Sequence, residues 1–205
     1  MSQSFDSIEV NVGGDKLLFT NVSFVFLKHG LCDVFRHKNN KTLRETLGHR
    51  RYKSVSQAVA SNYQTDLDKP LGLFLSALKA QGNETYLRFL NPHGDKRYCQ
   101  FRMADVPVKR LKGLYLYTCD GEIMYIGRSF DSFGKRINQG YGKIHPKNCF
   151  IDGQSTNCHL NALIEDSTKA VALFLHPMTD NTEIESTERF LITELKPPWN
   201  IALAQ

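Results

Sequence analysis

The pattern of apolar and polar residues predicts an α+β protein whose most regular segment is a hairpin near the middle of the chain. Residues 113–117 and 123–127 are rich in β-branched and aromatic side chains, and Asp120-Gly121 between them is a strong turn signal. Tyr115 and Tyr125 stand an even ten positions apart, so an even-numbered turn places both side chains on one face of the sheet.

Periodicity predicts the remaining elements less strongly. The predicted hairpins are 8–20, around Gly13-Gly14, and 85–103; the predicted helices are 22–35, 54–61, 71–79, 130–137 (capped by Ser129), 160–164 and 182–195; and the predicted strand is 170–175. In 97–103 polar and apolar residues alternate, so this strand could present Gln100 and Arg102 to base edges or be an ordinary half-exposed strand. Residues 104–112 lack periodicity and contain Pro107, which predicts a domain boundary there.

Composition indicates a water-soluble, intracellular protein. Of the 205 residues, 41% are hydrophobic and 23% charged, and no apolar run approaches the roughly 20 residues of a membrane helix. The first six residues lack the features of a secretory signal, and the odd number of cysteines without C-x-x-C spacing favours reduced thiols. We therefore expect a cytoplasmic location and no membrane partner. A zinc site can be imagined from four nearby residues, although their spacing favours ordinary packing: His145, Cys149, Cys158 and His159.

Charge is distributed unevenly along the chain. Residues 1–110 hold 17 lysines and arginines against 10 acidic residues, whereas residues 111–205 hold 9 against 11. A basic run could bind the phosphates of nucleic acid, or could be a solvated surface. The predicted DNA contacts in this run are Arg36, Lys38, Lys41, Arg44, Arg50, Arg51 and Lys53, and those in the polar segment after residue 138 are Lys143, His145 and Lys147.

One acidic residue stands out by its helical position. In 182–195 the residues Ile184, Leu191 and Leu195 form one apolar stripe, and Glu188 lies in the middle of it. A carboxylate on an inward face is costly unless it is paired or bound to a metal. The pattern therefore predicts either a metal ligand or an ion pair with Arg128 or Arg136.

The hairpin residues resemble a known family. Gly113-Leu114-Tyr115 and Tyr125-Ile126-Gly127 are similar to the two signature triplets of the GIY-YIG nuclease superfamily. Arg136, Glu188 and Asn200 (after Lys196-Pro-Pro-Trp) follow in the order expected for that family, so the resemblance covers 113–200. Arg136 lies one residue further from Tyr125 than in the repair-type members, which leaves Lys135 as an alternative, and Tyr141 matches a further tyrosine with the same shift.

The resemblance implies a fold and a division of the chain. The expected fold is α+β, with a small antiparallel three-stranded sheet flanked by helices in a catalytic domain at 109–205. A basic α+β module at 1–108 would precede it and bind the DNA target. The implied activity is that of a hydrolase, an endonuclease that cleaves phosphodiester bonds in DNA.

The resemblance also implies roles for individual residues. Tyr115 would act as general base or orient the attacking water, with Tyr125 and Tyr141 nearby, which requires a lowered tyrosine pKa. Arg136 and Arg128 would neutralise charge on the phosphate, and Asn200 would hold the scaffold or the phosphate. Because only Glu188 offers a carboxylate at the expected place, we expect one Mg²⁺ (or Mn²⁺) held by Glu188 and waters.

Two alternatives stay open beside a site-specific restriction, homing or mobile-element enzyme. One is a structure-specific repair or recombination nuclease acting on branched DNA or RNA, and the other is a non-catalytic nucleic-acid-binding protein. A chain with one catalytic site must nick, bind twice or act as a homodimer on DNA.

Overall fold

The chain forms two compact units, and neither is a continuous stretch of sequence. The computed structural model describes residues 6–104 and 107–201. The first unit comprises the described parts of 1–29, 99–143 and 163–205, and the second comprises 30–98 and 144–162. The predicted division between 108 and 109 is therefore not where the units part. Residues 1–5, part of the segment on which the absence of a secretory signal was predicted, lie outside the described residues.

The main sheet belongs to the first unit. The described strands are β1 (Ser7–Val12), β2 (Asp15–Val22), β3 (Phe24–Leu31), β4 (Tyr98–Met103), β5 (Gly113–Cys119), β6 (Glu122–Ser129) and β7 (Val171–Pro177). Five of them form an antiparallel sheet in the order β1-β2-β7-β5-β6, and β3 pairs with β4. The predicted α+β class is confirmed, but this sheet has five strands where three were predicted. The additional two enter because β2 pairs with β7, with Thr20 opposite Leu175.

Helices make up most of the second unit, and in the first unit an α-helix and a π-helix accompany the sheet. The described helices are α1 (Leu43–Leu47), α2 (Lys53–Asn62), α3 (Leu71–Ala80), a π-helix (Gly134–Tyr141), α4 (Ser155–Asp166) and α5 (Asn181–Leu195). Short 3-10 helices occur at Val34–His37, Arg50–Tyr52, Gln64–Asp66, Glu84–Phe89, Pro107–Arg110 and Pro146–Cys149. Four predicted helices are confirmed as α2, α3, α4 and α5, and the predicted strand at 170–175 is confirmed as β7.

Three sequence predictions are wrong, each for a local reason. The predicted helix at 22–35 is mainly β3, whose start at Phe24-Val-Phe carries the aromatic and β-branched residues that favour strands. The predicted strand at 85–91 is mostly the 3-10 helix Glu84–Phe89, which begins where the Asn83 side chain accepts a hydrogen bond from Thr85 N at 3.0 Å. Ser129 ends β6 and does not cap a helix; Ser132 Oγ accepts from Lys135 N at 3.3 Å instead.

Each unit has its own apolar core. In the first, Leu114, Leu116 and Ile126 on one face of the sheet pack against Ile184 and Leu191 of α5. Each of these five side chains is at most 1% exposed, and burying one contributes about 1.5–3 kcal/mol. This packing fixes α5, and with it Glu188, against the hairpin β5–β6.

The second unit has a core of its own that is also fully buried. It includes Phe35, Leu43, Leu71, Leu75 and Phe89. These residues come from the 3-10 helices and from α1 and α3, so apolar side chains such as Leu43 anchor the segment that carries the basic run between residues 36 and 53.

Two simpler predictions concern membranes and thiols. No helix within 6–104 and 107–201 is long and apolar enough to cross a membrane. No disulfide is formed in the part of the chain that the structure describes, and of the five cysteines Cys32 is exposed and the other four are buried. Cys149 and Cys158 lie with their sulfurs 4.0 Å apart, and no group of three or more metal-binding side chains is found among the described residues.

Candidate active site

The hairpin β5–β6 presents three tyrosines on one face of the sheet. Tyr117 lies opposite Tyr125 and Tyr115 lies opposite Gly127, so all three rings share the face away from α5. The turn is closed by Asp120 (φ 50°) and Gly121 (φ 88°), the conformation in which Asp-Gly turns match the twist of the strands. Tyr115 and Tyr125 share one face, as predicted, with ring centroids 6.3 Å apart, but the turn is not the cause. A two-residue turn alone would pair Tyr115 with Ile126, and a β-bulge between Tyr117 and Thr118 shifts the register so that Tyr125 comes to the face of Tyr115.

Steric reasons require glycine at one position of each triplet. A Cβ on Gly127 would overlap the Tyr115 ring and hydroxyl, which cross directly above it. Gly113 has φ 141°, and a Cβ there would overlap the carbonyl oxygen of His176 on β7. Glycine at 127 thus makes room for the tyrosine, and glycine at 113 allows close approach of the backbones of β5 and β7.

The π-helix brings two further side chains to this face. Its hydrogen bonds run from residue i to i+5, as in Gly142 N to Ile137 O at 2.6 Å, so side chains five positions apart lie near one another. Arg136 and Tyr141 are five apart, and the guanidinium carbon of Arg136 lies 4.4 Å from the centroid of the Tyr141 ring. Turns of this kind occur frequently at functional sites.

Hydrogen bonds join these side chains into one network, which we call the tyrosine cluster: Tyr115, Tyr125, Arg136 and Tyr141. The Tyr141 hydroxyl lies 2.8 Å from that of Tyr115 and 3.2 Å from that of Tyr125. Arg136 Nε donates to the Tyr115 hydroxyl at 3.2 Å. Lys135, the alternative to Arg136, is exposed and pairs with Asp131, so it takes no part in the network.

Burial decides the protonation of the cluster. It raises the pKa of Tyr115, against the opposing effects of Arg136 and the Tyr141 hydrogen bond, and it raises the pKa of Tyr125 and Tyr141 in the same way. Burial acts to lower the pKa of Arg136, but Tyr115 and Tyr141 outweigh it and the net shift is upward. The lowered tyrosine pKa expected for a general base is therefore not what these residues produce by themselves; the tyrosines are neutral and Arg136 is charged at neutral pH.

Glu188 lies inward on α5, as predicted, and is paired with Arg128. The Glu188 side chain is 12% exposed and accepts a hydrogen bond from Arg128 Nη1, while Arg128 Nη2 donates to Glu185 at 3.1 Å. Burial raises the pKa of Glu188, more than the Arg128 guanidinium lowers it. Its charge also raises the pKa of Tyr115 and Tyr125, so the carboxylate and the tyrosine cluster act on one another electrostatically.

The Asn200 side chain binds the backbone of β6. Its side-chain oxygen accepts from Ile126 N at 2.9 Å and its nitrogen donates to Ile126 O at 2.8 Å. Trp199 N donates to Met124 O at 2.9 Å, so the segment after α5 is fixed along β6. Both ends of the Asn200 amide are used by the backbone of the strand that carries Tyr125.

The residues predicted to contact DNA fall into two groups, those that are buried or already bound to a protein partner and those that are exposed. Arg44 pairs with Asp68 at 2.9 Å and 3.1 Å, Arg51 donates to Ile151 O at 2.9 Å, and Lys38 is buried. The remaining predicted contacts have exposed side chains: Arg36, Lys41, Arg50, Lys53, Lys143, His145 and Lys147. All of the ten except Lys143 belong to the second unit, which carries 13 lysines and arginines against 7 acidic residues.

Two residues of this site were missed in the sequence. Tyr117 is fully buried beside Tyr115, and Glu185 shares Arg128 with Glu188. Both follow the periodicity of their element, since Tyr117 is two residues from Tyr115 on a strand and Glu185 is three from Glu188 on a helix. The same spacing that singled out their neighbours could have found them.

Known proteins give no independent guide to this arrangement. Comparison of the chain with protein-family models, with curated proteins and with solved structures gave no match.

Proposed function

We propose that the chain is a metal-dependent DNA endonuclease of GIY-YIG type. The observation that carries the proposal is the tyrosine cluster, in which residues selected by the spacing of two triplets and an arginine share one hydrogen-bonded network. A purely apolar core would not need a guanidinium at its centre, because burying a charge is costly. A guanidinium beside hydroxyl groups is suited to holding a phosphate and a water molecule.

The fold supports the same proposal if β7, β5 and β6 are taken as the three-stranded sheet of the nuclease. These strands are consecutive in the sheet, with α5 packed on one face and the π-helix contributing to the other. The hairpin β1–β2 would then be an addition at the β7 edge. The π-helix also offers a reason for the one-residue shift of Arg136 and Tyr141, since an inserted residue is accommodated by wider winding.

The proposed chemistry divides among few side chains. Because burial keeps the tyrosines protonated, Tyr115 is proposed to orient the attacking water by a hydrogen bond, with Tyr141 and Tyr125 fixing its hydroxyl. Arg136 would bind a non-bridging oxygen of the phosphate and stabilise the charge that develops there. Asn200 would keep β6 in place rather than touch the phosphate.

The donor set fits one Mg²⁺, with Mn²⁺ as a substitute. Mg²⁺ keeps several waters and is often bound through one or two carboxylates together with substrate phosphates, and Glu188 is a largely buried carboxylate near the cluster. To bind the ion, Glu188 would release Arg128, which retains Glu185 as a partner and becomes available to the phosphate. A bound ion supplies Lewis-acid stabilisation and lowers the pKa of its waters.

A non-catalytic nucleic-acid-binding protein is the second candidate. It is favoured by the burial of the tyrosine hydroxyls and by the Arg128–Glu188 pair, since both satisfy the polar groups without any ligand. In that case the tyrosine cluster would only stabilise the sheet, and the basic second unit would provide the binding.

Cleavage of supercoiled plasmid by the full chain separates the two. With Mg²⁺ we expect nicked or linear product, and we expect Glu188→Gln and Tyr115→Phe to lower the rate by about 100-fold or more. Glu194→Gln is the matched control, because Glu194 is an exposed carboxylate on the same helix. Mg²⁺-dependent cleavage by Glu188→Gln at the wild-type rate would contradict the proposed site.

The products and substrates define the enzyme further. Discrete fragments of linear DNA would indicate a site-specific enzyme, and preference for forks or for RNA would indicate a structure-specific one. Linear plasmid formed in one step would support a homodimer on DNA, whereas open circles alone would indicate nicking. Binding without cleavage of any of these substrates would favour the non-catalytic candidate.

A further inference from the structure

Lys38 is a buried cation without a counter-ion in the second unit. The residue is 7% exposed, and its ammonium lies 4.6 Å from the centroid of the Phe150 ring. The side-chain ammonium makes no hydrogen bond or ion pair with any residue that the structure describes. Asp152 acts on the Lys38 ammonium only electrostatically, and its carboxylate already accepts a hydrogen bond from the Tyr52 hydroxyl at 2.7 Å. Burial of an uncompensated charge is costly, so this arrangement favours an anion from outside.

The backbone holds Lys38 in this position from the side of α3. Lys38 O accepts a hydrogen bond from Gly72 N at 3.0 Å, and a Cβ on Gly72 would overlap the carbonyl oxygen of Arg36. The Asn39 side chain is used twice in the same contact, since it donates to Arg36 O at 3.1 Å and accepts from Leu73 N at 3.2 Å. Lys38 therefore lies in a short loop whose backbone is fixed by close packing against α3.

Lys38 lines a cavity of about 270 Å³ formed by two segments far apart in sequence. No acidic side chain is among the lining residues, which include His37, Lys38, Asn39, Asn40, His145 and Lys147. His145 Nδ1 accepts a hydrogen bond from Lys147 N at 3.2 Å, which leaves the proton of a neutral ring on Nε2, where it can be donated. The cavity is slightly smaller than the about 300 Å³ at which pockets for drug-sized ligands begin, and suits one small anionic group.

We propose that this cavity binds one phosphate group of a nucleic-acid strand, with Lys38 and Lys147 as its cations and His145 as a hydrogen-bond donor. Two lysines match the charge of inorganic or terminal phosphate and exceed the single negative charge of a backbone phosphodiester. Ammonium groups bind phosphate oxygens as point charges without requiring planar geometry. The cavity would hold one phosphate at a fixed place, whereas the exposed cations of the same unit can contact a nucleic-acid backbone anywhere along its length. That the phosphate belongs to nucleic acid rests on the proposed function; that the cavity binds phosphate does not.

Thermal unfolding of the full chain in inorganic phosphate, at ionic strength matched with chloride, tests phosphate binding alone. We expect the wild type to unfold at higher temperature in phosphate, because a ligand that binds only the folded state stabilises it. Lys38→Met keeps the apolar stem, and we expect it to lose this response while unfolding at a higher temperature than the wild type in chloride. Lys96→Met is the matched control: Lys96 is an exposed lysine of the same unit outside the cavity.

The response of the variants decides whether the cavity is a phosphate site. If the wild type responds no differently to phosphate than to chloride, or if Lys38→Met keeps the response, the site is refuted. Lys147→Met serves as a second variant should Lys38→Met fail to fold, because Lys147 is exposed and its removal leaves no gap in the core. Loss of the phosphate response in Lys147→Met would support the site, and retention there would contradict it.

The source of the phosphate follows from binding of oligonucleotides in EDTA, measured by fluorescence anisotropy. We expect Lys38→Met to weaken binding by about tenfold, the scale of one hydrogen bond to a charged group. Weakening confined to 5′-phosphorylated strands would assign the cavity to a strand terminus, and equal weakening for 5′-hydroxyl strands would assign it to a backbone phosphate. Unchanged DNA binding beside a lost phosphate response would overturn nucleic acid as the source. Because cleavage and Glu188 play no part in these measurements, their failure is distinct from failure of the nuclease proposal.

Discussion

Tyr117 lies beside the tyrosine cluster, but its hydroxyl takes no part in that hydrogen-bonded network. It is buried and has no hydrogen-bond partner among the described residues, although its ring contacts Tyr115, Tyr125 and Tyr141. An unpaired buried hydroxyl costs about 1–3 kcal/mol in proteins, and burial raises its pKa well above the usual value. The ring therefore packs favourably while its oxygen destabilises the folded state.

Removing that oxygen should not harm the protein. We predict that Tyr117→Phe leaves the free energy of unfolding unchanged or raises it, whereas Tyr115→Phe lowers it by about 1–3 kcal/mol, because the Tyr141 hydroxyl and Arg136 Nε each lose a hydrogen bond to the Tyr115 hydroxyl. The two changes each remove one oxygen from a fully buried tyrosine, so each controls for the other. Urea unfolding measures both. An equal loss in the two variants would show that Tyr117 has a partner.

The titration of Glu188 should be visible in stability. Burial raises its pKa above the ordinary value of 4.5, so the folded protein binds this proton more tightly than the unfolded chain does. The contribution of Glu188 to the free energy of unfolding is then largest below pH 4.5 and falls as pH rises through the folded pKa. We predict that, in EDTA, the stability of the wild type relative to Glu188→Gln decreases with pH over this range.

Urea unfolding of both proteins at several pH values between about 4 and 7 provides the measurement. Glu194→Gln, with the same chemical change at an exposed position of α5, controls for effects of charge on the helix. A difference that increases with pH would mean that the Arg128 pair outweighs burial and that the pKa of Glu188 is lowered.

At the scale of elements, the position of Glu188 depends on where α5 begins. Asp180 caps the helix, its Oδ1 accepting from Glu183 N at 2.8 Å. We predict that Asp180→Ala lowers the free energy of unfolding by about 1 kcal/mol, since the amide at this helix end loses its acceptor. Asp180→Asn retains an oxygen at the same place and should lose only a few tenths. Equal losses in the two variants, measured by urea unfolding, would indicate that charge and not the cap stabilises α5.

The elements also show which parts of the site a sequence can predict. The inward face of Glu188 follows the helical period and was predicted correctly, whereas the shared face of Tyr115 and Tyr125, although predicted, depends on a β-bulge between Tyr117 and Thr118 that the strand period does not give. The π-helix was predicted as an ordinary helix ending near Ile137, because its wider winding depends on tertiary contacts such as Met103 N to Asn138 Oδ1 at 2.7 Å. The pairing of Arg136 with Tyr141 therefore could not be derived from a helical period of 3.6.

At the scale of the whole chain, the division into units was beyond the reach of local pattern. The hairpin β1–β2 was predicted correctly. Its partner β7 lies about 150 residues further on, and no pattern in either strand indicates that the two will pair. Burial shows the consequence: Phe19 of β2 is 0% exposed and packs with Leu114 and Phe174 in the core of the first unit. The boundary at 108 would separate these side chains.

The pairing of β2 with β7 bears on whether the predicted nuclease domain, residues 109–205, can fold as an isolated fragment. We expect the fragment 109–205 to lack cooperative unfolding, because without β2 the edge of β7 is unpaired and Phe174 and Leu114 lose Phe19 as a neighbour. Adding a peptide of residues 1–29 should restore ordered structure, since it supplies the missing pair of strands, while a peptide with Phe19→Asp should not. Circular dichroism and amide-proton NMR of the fragment with and without each peptide give the answer. If 109–205 alone unfolds cooperatively and gives dispersed amide signals, the β2–β7 pairing is dispensable, and the division predicted from sequence would describe the folding unit better than the contacts do.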